Sequence, residues 1–63
     1  MITVLVADDH AMVRTGIARM LDDADDISVI AEAANGEEAI QRCRELRPDI
    51  VLMYKRLPGM GGP

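Results

Sequence analysis

The sequence predicts an α/β unit in which three parallel strands lie in the order 2-1-3 with one helix on each face. Two observations carry this prediction. Short β-branched apolar runs alternate with stretches of helical period, and the period changes at charged or turn-forming clusters. The first run is also apolar at successive residues, as a strand covered on both faces must be. Strands joined through helices make right-handed crossovers, which place the first strand in the centre.

Ile2 to Ala7 (ITVLVA) is that strand, and it ends in Asp8-Asp9-His10. From Met12 the apolar residues Val13, Ile17, Met20, Leu21 and Ala24 recur at helical spacing and make one face of a helix. Gly16 inside it costs up to about 1 kcal/mol relative to Ala, which points to close packing there. Asp22, Asp23, Asp25 and Asp26 repel one another and oppose the dipole at a helix C-terminus, so they mark its end and a solvated loop. Ile27 to Ala33 (ISVIAEA) is a second strand with Ile27, Val29, Ala31 and Ala33 on one face. Its other face mixes Ser28, Ile30 and Glu32, which places it at a sheet edge. Asn35 can cap a second helix, with Glu38 at the spacing of a capping box. Ala39, Ile40, Cys43 and Leu46 form its buried stripe, and Pro48 lies past its end. Ile50 to Met53 (IVLM) is a third strand, apolar on both faces, that runs into Tyr54. Lys55 to Pro63, with three glycines and two prolines, is a loop.

Composition narrows the function classes. At 63 residues the chain is one small domain or part of one, and its stability is expected to be marginal. Cys43 is the single cysteine, so no intrachain disulfide supports it. Seven basic against eleven acidic residues, with no basic run, speak against direct nucleic-acid binding. No apolar run approaches the ~20 residues of a membrane span, and the start MITVLVADD lacks the cationic region of a signal peptide. The expectation is a soluble cytoplasmic unit that is not an enzyme and has no membrane partner.

The residues with chemical potential converge on one place. Order 2-1-3 makes the first and third strands neighbours, so Asp8-Asp9 and Tyr54 meet at the carboxyl ends, where open α/β sheets bind ligands. Adjacent carboxylates there form a natural ligand set for Mg²⁺, which takes one or two carboxylates plus waters and phosphate oxygens. On local chemistry alone the simpler reading is that they open the next helix, where acids are favourable. The first β-α turn carries neither dinucleotide nor P-loop glycine patterns. His10 reads as a surface residue at the helix start, and Cys43 as a packed core thiol. Arg14, Arg19, Arg42, Arg44 and Arg47 interleave with acids on helix faces.

VLVADDH followed by VRTGIARML, then ANGEEAIQ, RPDIVLM and LPGMGG, resembles the receiver domain of two-component response regulators. The resemblance covers the whole chain and is greatest to the GacA/UvrY group, whose output is a LuxR-type DNA-binding domain. It implies a truncated flavodoxin-like (CheY-like) fold: residues 1–63 as a partial receiver domain holding the first three strands and two helices, without the output domain. In that family the acidic pair binds Mg²⁺, and an Asp ending the third strand accepts a phosphoryl group from a sensor kinase histidine in a phosphorelay that regulates transcription. The carry-over makes Asp8 and Asp9 metal ligands, Asp9 the more direct one. The backbone carbonyl of Arg56 is a further weak ligand, and Pro58 and Gly59 shape the adjoining loop.

Two departures from the family pattern set further expectations. Tyr54 stands where the acceptor Asp belongs. A phenol, with an ordinary pKa near 10, supplies neither an anionic nucleophile nor a third metal ligand at neutral pH. Acceptor function is expected to be lost and Mg²⁺ binding to be weak or absent. The chain also ends before the family's fourth strand, which leaves the third strand as an open apolar edge. Self-association into a homodimer centred on Ile50, Val51, Leu52 and Met53 is the expected relief, by edge pairing or by exchange of elements. The alternative is an interaction module that interferes with intact regulators or with their sensor kinase, or an inactive fragment.

Overall fold

The computed structural model describes residues 1–54 of the chain. Its elements are β1 (Ile2–Ala7), α1 (Ala11–Asp22), β2 (Ile27–Ala33), α2 (Gly36–Leu46) and β3 (Ile50–Met53). The three strands are parallel in the order β2-β1-β3, as the sequence predicts. The expected loop over Lys55 to Pro63 lies outside the described residues.

β1 is the core. Val4 to Ala7 are buried, and the pleat sends alternate side chains to opposite faces. Leu5 and Ala7 join Ala33 and Ala39 beneath α2, with Ala31 and Cys43 packed against them. Val4 and Val6 join Ala18 beneath α1, together with Ile17, Leu21, Ile27 and Val29. Cys43 is thus a packing thiol, as read.

β2 differs from the expectation of one continuous apolar face. Ile27 and Val29 pack with the α1 layer, whereas Ala31 and Ala33 pack with the α2 layer. The cause is a bulge: Val4 pairs with Val29 but Leu5 pairs with Ala31, so Ile30 is an extra residue on β2. A slip of one residue sends every later side chain to the other face.

The two helical stripes are narrower than expected. On α1, Met12 and Met20 are 85% and 77% exposed, and Ala18 is the buried residue. Ile17, Ala18 and Leu21 make the contact row. Met12 and Met20 point away from it into solvent, and Ala24 lies in the turn beyond the helix. On α2, Ala39 and Cys43 pack inward while Ile40 and Leu46 are exposed. Both helices pack over β1 and β2 and leave β3 aside, so neither has a wide surface to cover. Gly16 also departs from expectation. A Cβ added there meets nothing within 4 Å, so no close approach requires the glycine.

The ends of α2 follow local chemistry. Asn35 Oδ1 accepts from the Glu38 N–H at 2.8 Å. Glu38 Oε1 reaches back to the Ala34 N–H at 2.6 Å, one residue before the position a regular capping box would use. At the other end Arg47 takes the left-handed conformation (φ 50°) and donates its N–H to the Cys43 carbonyl. Pro48 disfavours a continued helix at residue 47, and the left-handed turn ends α2 instead.

β3 is fastened at its start by a clamp that the sequence reading did not anticipate. Asp49 Oδ2 accepts from the Thr3 N–H at 2.9 Å and the Thr3 hydroxyl at 3.0 Å, while the Asp49 N–H donates to Thr3 Oγ1 at 2.9 Å. Beyond the clamp, Ile50 to Met53 are between 38% and 57% exposed.

Candidate functional site

The parallel pairing of β1 with β3 puts Ala7 opposite Met53, and the Tyr54 N–H continues the ladder to the Ala7 carbonyl at 2.9 Å. Asp8 and Tyr54 are therefore the first residues past the paired ends of the two strands. Asp8, Asp9, Asn35, Gly36, Met53 and Tyr54 line a cleft of about 240 Å³ there. The structure thus brings together the three side chains that the sequence singled out. Arg56, Pro58 and Gly59, the remaining predicted site residues, lie outside the described residues.

Asp8 is held on almost every side. It is 3% exposed. Its N–H donates to the Ala33 carbonyl at 3.0 Å, and Oδ1 accepts from the His10 N–H at 2.8 Å. The Asp8 carbonyl accepts from Arg14 Nη1 at 3.0 Å. Oδ2 is buried and has no hydrogen-bond partner among the described residues. Asp9, by contrast, is exposed at the rim. His10 is the N-cap residue of α1, where its side chain makes no capping bond, in keeping with a surface role.

By sequence Arg14 is one of the arginines interleaved with acids on the helix faces, and its contacts set it apart. Its Nε meets Glu32 Oε1 at 3.1 Å across the α1–β2 boundary, and its Nη1 reaches the Asp8 carbonyl. Glu32 stands opposite Val6 on β2, two residues before the acidic turn in register. The bulge at Ile30 sets that position, so no periodicity in the sequence announces it.

The donor set suits a hard divalent cation. A buried carboxylate oxygen with no hydrogen-bond donor is costly unless a cation meets it, and Asp8 Oδ2 is such an atom at the wall of an acidic cleft. Asp9 adds a second, exposed carboxylate at the rim. Among the described residues no third His, Cys, Asp or Glu completes a cluster. That leaves the two-carboxylate arrangement in which Mg²⁺ keeps most of its waters.

Comparison with known proteins agrees with the geometry. The family model described as "Response regulator receiver domain" matches residues 4–63. The Response regulator GacA of Pseudomonas viridiflava is 56% identical over 62 residues, covering 98% of this chain and 29% of that protein. The Response regulator UvrY of Escherichia coli (strain K12) is 50% identical over 62 residues, covering 98% and 28%. The Nitrate/nitrite response regulator protein NarL of the same strain is 45% identical over 60 residues, covering 95% and 28%. The chain therefore spans less than a third of the length of these relatives. Parallel order β2-β1-β3, an acidic turn closing the central strand and a family match over nearly every residue converge: this chain belongs to the response regulator receiver domain family.

Proposed function

We propose that the chain is a receiver unit of two-component signalling that keeps the family's acidic cation site but does not accept a phosphoryl group in the family's manner. Tyr54 carries this reading. Its backbone bond to Ala7 sets it beside Asp8 at the lip of the cleft, at the position the resemblance assigns to the acceptor Asp. Asp8 through Oδ2 and Asp9 at the rim are the residues that would hold Mg²⁺. When bound, the cation would draw phosphate oxygens to the cleft and offset their charge. Tyr54 contributes a ring where the incoming group would need space, and no carboxylate to receive it. The unit has no catalytic activity of its own in this reading. A sensor histidine kinase or an intact regulator is its natural partner class.

Incubation with a small acyl phosphate and Mg²⁺, read by intact mass, tests the proposal. The chain is expected to stay unmodified, and Tyr54→Asp to gain the mass of one phosphoryl group. Uptake by the unsubstituted chain as readily as by Tyr54→Asp would overturn the reading.

A second feature concerns partners. Ile50, Val51, Leu52 and Met53 are exposed on the outer strand of the sheet, and neither helix lies over them. This favours self-association of the 63-residue chain along β3, the homodimer that the sequence predicts. Pairing with an intact regulator through the same edge is the competing arrangement.

A further inference from the structure

We propose that Arg14 is a positioning residue that aims the Asp8–Asp9 pair at its cation, an inference that rests on the cation reading of the cleft. The Arg14 guanidinium has two anchors. Nε is held by Glu32 of β2, and Nη1 donates to the Asp8 carbonyl. The arginine backbone is fixed too, because its N–H donates to the His10 carbonyl in the first turn of α1. The side chain therefore braces three elements against one peptide unit, and it is largely shielded from solvent at 19% exposure.

That peptide unit is the one that matters. The Asp8 carbonyl belongs to the same plane as the Asp9 nitrogen and Cα, because the peptide bond does not rotate freely. Fixing the carbonyl fixes the plane, and the plane sets the direction in which Asp9 leaves the end of β1. On the Asp8 side, the bonds to Ala33 and His10 already commit N–H and Oδ1. With the carbonyl taken by Arg14, Oδ2 is the one polar atom of Asp8 that the described residues leave for a ligand. The brace thus orients the buried carboxylate and the rim carboxylate together.

The charge of Arg14 makes the proposal easy to separate from a purely electrostatic effect. A guanidinium near a divalent cation repels it, so removing that charge alone would tighten binding, and exchanging it for another cation would leave affinity unchanged. Positioning predicts the reverse. A lysine keeps the charge but lacks the planar fork that spans Glu32 and the Asp8 carbonyl at once. Partners that orient metal ligands in this way typically contribute ten- to a hundredfold to metal affinity (roughly, across many sites).

The experiment is a Mg²⁺ titration of the 63-residue chain, followed through the amide resonances of Asp8, Asp9 and Tyr54. Arg14→Lys and Arg14→Gln are both expected to weaken the apparent affinity by about tenfold. Without metal, the order parameter of the Asp9 amide is expected to fall from about 0.85 toward 0.6 in both variants. Glu32→Ala, on the exposed edge strand, removes one anchor without altering α1, and is expected to weaken binding by a smaller factor. It keeps the proposal testable should the Arg14 variants fail to fold. Unchanged affinity in Arg14→Lys, or tighter binding in Arg14→Gln, overturns the positioning role while leaving the cation site intact. A flat titration of the unsubstituted chain overturns the cation reading, and the positioning role with it.

Discussion

Gly16 sits in the middle of α1 with open space where a side chain would be. The backbone there is helical, so the residue retains the entropic cost of glycine in a helix without the close packing that would require it. Gly16→Ala is expected to stabilise the fold by about 0.5–1 kcal/mol, partly by restricting the unfolded chain. In a domain of this size that raises the melting temperature by several degrees, roughly 4–8 °C per kcal/mol, and thermal unfolding followed by circular dichroism checks it. A lower melting temperature would mean that α1 lies closer to a neighbour than the open space indicates. At the same scale, Asp8 and Tyr54 were readable from the sequence because each ends a strand whose apolar run fixes its boundaries. Arg14 was not, because its two partners lie on other elements and its own helix shows only an ordinary alternation of charge. The spare oxygen of Asp8 was also out of reach: which carboxylate is buried depends on the bonds to Ala33, His10 and Arg14, and none of these leaves a mark on composition.

Among the described elements, β3 is the least supported, because α1 and α2 pack mainly over β1 and β2 and one clamp holds its start. The Thr3 N–H and hydroxyl bonds hold the Asp49 carboxyl below its ordinary value. A depressed folded value means that the charged form is favoured by folding. The stabilisation is therefore present above the ordinary carboxylate range, near pH 4, and is lost as pH falls through the lower folded value. Thr3→Val, which keeps the shape but removes the hydroxyl, is expected to lower the denaturant midpoint at neutral pH and to flatten its loss in acid. A series of urea midpoints from neutral pH downward reads this directly. An unchanged acid limb would show that the Thr3 hydroxyl bond makes no contribution to this dependence and that the backbone N–H bond alone holds the Asp49 carboxyl down. The contrast between elements also explains what the sequence could convey. Strand and helix order followed from changes of period, each extending over several residues. The bulge at Ile30 and the clamp between residues 46 apart did not, since one is a single-residue slip and the other joins positions that no local pattern relates.

At the scale of the whole molecule, the sheet formed by the described residues has two edges, and they are not equivalent. The β2 edge carries Glu32 and is kinked by the bulge at Ile30, two features that discourage pairing with another chain. The β3 edge is short but regular in register, uncharged and apolar on both faces. Tyr54 donates to Ala7, and backbone groups alternate along a parallel ladder, so Leu52 also turns toward β1 while Val51 and Met53 turn their N–H and C=O outward. Association between copies should therefore run through the outward groups of those two residues. Val51→Pro removes one outward donor without touching a bond to β1, and an edge strand tolerates proline where its N–H would face solvent. Sedimentation at micromolar concentration is expected to show dimers or larger species for the unsubstituted chain and a shift toward monomer for Val51→Pro. Because α1 and α2 pack mainly over β1 and β2, edge pairing still leaves much of the β3 side-chain surface exposed. Simple edge pairing thus predicts a weak dimer that continues to bind a hydrophobic dye, whereas exchange of whole elements predicts a tight dimer that does not. A folded, dye-free monomer would exclude both and show that the exposed strand needs no second copy.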